Sequence, residues 1–263
     1  MRRAQSTTGI IMALGASLAM GCTESDSAAP TSVSSENIAL AHAPAQTFGY
    51  FGRKGPAFWG GLDPAWSACE DGQVQAPVDL GRNTLQSRRH PKLNIDYGHT
   101  TGEIFNNGHT IEIETDGENV LKFGGDAYTL SQFHFHVPSE HTIKGEGHDM
   151  ELHLVHTSAA GANAVVAVFL NRGAKSGALS PIFRQLPNDF NVQHELDAAF
   201  DPADFLPDDQ SHIRYLGSLT TPPCTDGVRW FVLTNPVTVS SEHLAKFNER
   251  IHFNARLVQR SLP

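Results

Sequence analysis

Apolar and polar residues alternate with a period of two along most of the chain, the pattern of strands with one face buried. Residues 92–97, 102–106, 109–115 and 120–123 read as short strands, parted by the turn-forming runs Asn106-Asn107-Gly108 and Thr115-Asp116-Gly117. Residues 128–136 and 150–157 continue the alternation with aromatic and β-branched side chains, which suit a pleated surface. Residues 165–170 are apolar on both faces and predict a buried central strand, while 213–219 and 228–233 complete the set. Helical periodicity is sparse. It covers 180–186, with Pro181 at the first helical position, and 240–250, where Leu244, Phe247 and Ile251 share a stripe. Residues 87–90 read as a polar, basic turn, and 197–210, interrupted by Pro202 and Pro207, as a loop. The pattern predicts a β-dominant (α+β) fold: one domain around a large, mostly antiparallel, twisted central sheet with short peripheral helices.

The front of the chain departs from that pattern. Arg2 and Arg3 precede an apolar run over 10–20 that is too short to span a membrane as a mature helix, so residues 1–22 read as a signal peptide. Residues 23–47, rich in Ser, Ala, Thr and Pro, read as a flexible tether, and 48–263 as the folded domain. The domain opens on an aromatic lead-in of Tyr50, Phe51, Phe58, Trp59 and Trp66. Cys22, directly after Ala19-Met20-Gly21, resembles a bacterial lipoprotein cleavage site, which would put a lipid anchor on Cys22; the alternative is an ordinary signal peptide. Both predict an exported protein, periplasmic or at the cell surface. In an oxidising compartment Cys69 and Cys224 can pair, leaving Cys22 as the odd cysteine. The 263 residues carry 19 Lys and Arg against 28 Asp and Glu, a formal charge of -9, which argues against nucleic acid as a partner. Oligomeric state stays open, a homodimer among the alternatives.

Candidate chemistry concentrates in 132–156, QFHFHVPSEHTIKGEGHDMELHLVH. On a strand, His134 and His136 face one side, and so do Glu151, His153 and Val155 on the next run. If the two strands pair, three imidazoles converge, the ligand set of a zinc ion that keeps an open fourth position. Glu151 can take a ligand's second N–H, and Glu140 is placed for a supporting part. A cupin-type metal oxygenase or isomerase is the competing metal enzyme, since His134-x-His136-x-x-x-Glu140 followed by Gly147 fits the first half of its motif; the glycine-flanked second half is absent.

The chain resembles the α-class carbonic anhydrases, in the form found in exported bacterial enzymes, from about Phe48 to Gln259. The resemblance rests on QAPVDL at 75–80, NNGHT at 106–110, QFHFHVPSEHT at 132–142, ELHLVH at 151–156 and GSLTTPPC at 217–224, all in family order. It implies reversible hydration of carbon dioxide to bicarbonate by attack of a zinc hydroxide, with one zinc per chain on His134, His136 and His153. Carbonic anhydrase is itself the standard case of a zinc-bound water brought to a pKa of ~7, so that magnitude is borrowed. Thr220 and Glu140 would orient the hydroxide, and His109 would shuttle the proton out. Gln132, Glu151 and the backbone of Asn254 would hold the ligands. Val155, Val165, Leu219, Thr221 and Trp230 would line the substrate pocket, with Tyr50 and Asn107 ordering water. A Cys69–Cys224 disulfide would brace the loop bearing Thr220 and Thr221, and sulfonamides and anions would inhibit. His141 and His156 read as structural. Ala76, Val137 and Leu257 depart from residues common in the family, and none is an implied ligand. The remaining alternative is a binding module that has kept the fold and lost the activity.

Overall fold

The computed structural model describes residues 48–81, 89–90 and 92–260. The export segment expected over 1–22 and the tether expected over 23–47 lie outside them. Fourteen strands are described: β1 (Asp79–Leu80), β2 (Arg89–His90), β3 (Ile95–Asp96), β4 (Thr101–Asn106), β5 (Ile111–Asp116), β6 (Val120–Phe123), β7 (Asp126–His136), β8 (Thr142–Ile143), β9 (Met150–Ser158), β10 (Asn163–Arg172), β11 (Gln193–Glu195), β12 (His212–Ser218), β13 (Asp226–Leu233) and β14 (Val237–Val239). Twelve form one sheet in the order β11-β4-β5-β7-β9-β10-β13-β12-β2, with β14 on β10 and β6 and β3 beside β7. Most pairings are antiparallel; β10 runs parallel to β13 and β14, and β1 with β8 makes a separate parallel pair. Four short helices, α1 (Trp59–Leu62), α2 (Ala68–Asp71), α3 (Ser180–Arg184) and α4 (Ser241–Arg250), lie at the periphery. None of the described helices is long and apolar enough to cross a membrane.

The expected strands and both expected helices are present, with ends shifted by a few residues. Residues 92–97 shrink to the two-residue β3, and 197–210 gains a 3-10 turn at Pro202–Phe205. Of the basic turn expected at 87–90, residues 87–88 lie outside the described residues, and 89–90 form β2, an edge strand paired to β12.

The sheet separates two environments. One face buries Phe133, Phe135, Leu152, Leu154, Val166, Val168 and Phe231 against Ile182 and Phe183 of α3 and Leu244 and Phe247 of α4. The other carries a smaller cluster of Val165, Ala167, Phe169, Trp230 and Val232 under Ala76, Val78 and Leu80. A register shift in β7 between Leu130 and Gln132 inserts Ser131 as an extra residue. Because side chains alternate strictly, that bulge lets Tyr128 and Leu130 face the same core as Phe133 and Phe135, while Gln132, His134 and His136 face away. Uninterrupted alternation over 128–136 would put Tyr128 on the histidine face; the bulge places it in the core instead.

Candidate active site

The site is built across three neighbouring strands. Register places His134 of β7 directly opposite His153 of β9, His136 opposite Glu151, and Gln132 opposite Val155. The row continues from Val155 to Val165 on β10 and from Val165 to Trp230 on β13. Backbone pairing alone therefore sets an apolar wall beside the histidines.

The three imidazole rings lie 5.0, 5.3 and 4.6 Å apart between centroids, and one nitrogen from each falls within 4.8 Å of the others. Each ring is fixed through its other nitrogen. His134 Nδ1 donates to Gln132 Oε1 at 2.8 Å, His136 Nδ1 to the Asn254 carbonyl at 2.8 Å, and His153 Nε2 to Glu151 Oε1 at 2.9 Å. A donor on one nitrogen leaves a lone pair on the other, so these bonds dictate tautomers that aim His134 Nε2, His136 Nε2 and His153 Nδ1 at a common point. Burial, reinforced by the neighbouring histidines, holds His134 well below the usual imidazole pKa; burial lowers His136 as well, against the opposing charge of Glu140. Neutral imidazole is the form that binds metal. His136 Nε2 is buried and has no hydrogen-bond partner, an arrangement that costs free energy unless an acceptor of its lone pair is supplied. The donor set and the orphaned nitrogen fit a divalent zinc.

Glu151 is saturated: Oε1 accepts from His153 and from His141 Nδ1 at 2.6 Å, and Oε2 from the backbone N–H groups of Glu140 and His141. Burial pushes its carboxyl up, but His141 and His153, by charge and hydrogen bond, hold it well below the usual carboxylate range. His141 in turn accepts from the Tyr215 hydroxyl at 2.5 Å. His141, read from the sequence as structural, thus orients the carboxylate that orients His153.

Glu140 Oε1 accepts the Arg256 backbone N–H at 2.8 Å, and Oε2 is buried without a partner. That oxygen is 4.0 Å from His153 Nδ1. Thr220 is buried in the loop between β12 and β13, and Thr221 beside it is half-buried. Cys69 and Cys224 form a disulfide that ties this loop to α2. Val165 and Trp230 are buried, with Val155 and Leu219 packed against their cluster, and the Trp230 ring lies 4.9 Å from that of His153.

His109 occupies the turn between β4 and β5. Its ring stacks on Phe48 at 3.8 Å between centroids and 9° between planes, and burial lowers its pKa. The turn is fixed through the main chain. Asn107 Oδ1 accepts from the N–H groups of His109 and Thr110, and Asn254 Nδ2 donates to the His109 carbonyl at 2.9 Å. Tyr50 packs edge-on against Phe48 and Trp59, its phenol pushed well above the usual pKa by burial and by Glu140. A surface cleft of about 450 Å³ opens beside Phe48, Tyr50 and His109, and none of the three clustered histidines lines it.

Four polar residues around the site were not singled out by sequence: Glu112, Gln75, Arg256 and Tyr215. Glu112 lies opposite His134 on β5, accepts from Asn107 Nδ2, and has its carboxyl raised to about 7 by burial and then by Glu114, against the Asn107 hydrogen bond. Gln75 sits within the QAPVDL motif, the one signal that pointed near any of them.

Comparison with known proteins shows the family. The family model for eukaryotic-type carbonic anhydrases matches residues 54–260. A carbonic anhydrase of Pectobacterium carotovorum is 38% identical over 213 residues, covering 81% of this chain and 86% of that protein. One from Nostoc is 37% identical over 233 residues, covering 87% and 88%. The solved α-carbonic anhydrase of Thermovibrio ammonificans, in complex with the inhibitor sulfanilamide, superposes with a TM-score of 0.77 at 38% identity, covering 81% of this chain and 95% of that one. With the matching fold and this histidine cluster, the chain belongs to the eukaryotic-type, or α, carbonic anhydrase family.

Proposed function

We propose that this protein catalyses the reversible hydration of carbon dioxide to bicarbonate and a proton, with one zinc held by His134, His136 and His153. The observation that carries the proposal is the convergence of one nitrogen from each of three imidazoles whose other nitrogens are each tied to a separate acceptor. Those residues would hold a zinc, which would supply a Lewis acid able to acidify a water near neutral pH.

The chain's own residues do the rest. Glu140, its Oε1 fixed by Arg256 N–H, leaves Oε2 buried without a partner; the Thr220 hydroxyl donating to that oxygen would leave Thr220 Oγ1 able only to accept from the nucleophile, which would fix the direction of the attacking lone pair. Val155, Val165, Leu219 and Trp230 form a wall that carries no charge and so favours an apolar gas over water. Thr221 stands beside that wall. His109 takes up the product proton and passes it to buffer. Its ring has no hydrogen bond among the described residues, and its ordinary pKa near 6.5, lowered here by burial, lets it release protons readily. Gln132, Glu151 and Asn254 keep the ligand rings in place, while Tyr50 and Asn107 border the path to His109.

Export to an oxidising compartment agrees with the Cys69–Cys224 disulfide, and we place the signal segment at 1–22 and the tether at 23–47, with Cys22 as the lipid-bearing residue if the leader is of lipoprotein type. The test is direct: measure zinc per chain and follow carbon dioxide hydration with and without sulfanilamide. One zinc with sulfanilamide-sensitive hydration is the expected result. Iron or manganese without hydration would overturn the proposal.

A further inference from the structure

The loop carrying Thr220 and the segment carrying Glu140 are joined by a polar network that uses no group of Thr220 and meets Glu140 only at Oε1. Arg256, buried at 2% exposure, donates from Nη1 to Gln75 Oε1 and to the Ala76 carbonyl, both at 2.8 Å, and from Nη2 to the Cys69 carbonyl at 3.0 Å. Its guanidinium also lies 5.8 Å from the Trp59 ring centroid. Its backbone N–H is the group that holds Glu140 Oε1. Gln75 completes the span: Nε2 donates to Asp226 Oδ1 at 2.6 Å and to the Cys224 carbonyl at 3.0 Å. Asp226 Oδ2 accepts from Gln73 N at 2.8 Å.

Two features point to a positional purpose. Cys224 holds φ at +56°, a left-handed conformation that a non-glycine residue keeps only where its surroundings over-determine it. It is fixed by the disulfide, by donation from its N–H to the Thr221 carbonyl, and by Gln75 on its own carbonyl. Gly72, in turn, leaves room for the strut, since a Cβ there would lie 2.1 Å from Gln75 Nε2 and 2.5 Å from the Ala68 carbonyl. Burial lowers Arg256 to about 10, against Glu140 and Asp226, so the guanidinium stays charged near neutrality.

We propose that Gln75 and Arg256 are positioning residues for the reaction: together they form a strut that fixes the Thr220 loop, through Cys224 and Asp226, relative to the carboxylate of Glu140. The inference rests on the roles given above to Thr220 and Glu140. Breaking the strut shifts one partner of that pair against the other, which slows the hydration step and leaves the zinc cage and the proton exit at His109 in place.

The experiment uses the zinc-loaded full chain. Gln75→Glu sets a second carboxylate against Asp226, and Gln75→Glu combined with Asp226→Asn restores a donor between the two positions with its direction reversed. Thr220→Ala serves as the reference. For Gln75→Glu, kcat/KM for hydration should fall ~10-fold and sulfanilamide should bind ~10-fold more weakly, at one zinc per chain and with the buffer dependence of kcat unchanged. The double variant should recover most of both losses. Should Gln75→Glu fold poorly, Gly72→Ala displaces the same side chain from outside the site and should reproduce the two losses. If the single variant keeps kcat/KM and sulfanilamide affinity within twofold while only its melting temperature drops, or if the double variant recovers neither, the strut is merely structural and the proposal is overturned. A fall in Thr220→Ala without one in Gln75→Glu refutes the strut alone. No fall in Thr220→Ala refutes the reading of Thr220 and Glu140 on which it depends.

Discussion

Two sets of histidines in this protein are held in opposite ways. His134, His136 and His153 sit on adjoining strands of a twelve-stranded sheet, and each donates one ring N–H to a fixed acceptor. His109 sits in a turn whose backbone is pinned by Asn107 and Asn254, while its ring rests on Phe48 without a hydrogen bond among the described residues. A metal ligand needs one tautomer and one orientation, and a sheet supplies both. A proton carrier must bind and release through either nitrogen, so it needs a fixed anchor and a free ring.

The strongest test of that contrast removes a ligand. His134→Ala, His136→Ala or His153→Ala should each lower hydration by more than ~100-fold and leave less than one zinc per chain by elemental analysis. Full zinc in any one of them would take that residue out of the cage. Thr220→Ala should cost about 100-fold in kcat/KM, in line with losing a hydrogen-bonding group that acts on the reacting group, at unchanged zinc content. Glu151→Gln, which replaces an acceptor of four hydrogen bonds with a group that must donate, should weaken zinc affinity ~10-fold or more in competition with a chelator. His109→Ala should lower kcat ~10-fold in dilute buffer, leave kcat/KM unchanged, and respond to added imidazole. Turnover equal to wild type in dilute buffer would place the proton exit elsewhere, with Glu112 the next residue to examine. The smallest effect belongs to Phe48→Ala. Uncovering the ring removes part of the burial that lowers its pKa, so the apparent pKa of the proton-transfer step should rise toward 6.5, with kcat changing by less than ~3-fold. An unchanged pKa would show that the stacking does not govern His109.

Local pattern carried the sequence reading a long way. The strands over 120–123, 150–158 and 163–172 are legible because one-sided or two-sided burial leaves a period in the residues themselves. The three-residue strands β11 and β14 are not, since pairing with a neighbour, rather than their own composition, makes them strands. The same divide runs through the site. The His134-x-His136 spacing and the motif order pointed to the metal cage, while His141 looked structural because its part depends on Glu151 and Tyr215, neighbours it meets only in the fold. Arg256 gave no signal at all: its partners Cys69, Gln75, Ala76 and Glu140 lie more than a hundred residues away.

By itself, the sequence determined which histidines alternate onto one strand face, the turn that carries His109 and the alternation that builds the sheet, because each is encoded within a few consecutive residues. Only the tertiary structure decided which face the histidines occupy. That outcome depends on one extra residue, Ser131, whose bulge changes the parity of β7 so that Tyr128 and Leu130 join the core while His134 and His136 leave it. It also decided what ties the loop bearing Thr220 to distant segments, since a disulfide spanning 155 residues and an arginine that no local pattern places make those links. Periodicity records how a residue relates to its near neighbours in the chain; hydrogen bonds between distant segments form only after the sheet has brought those segments together.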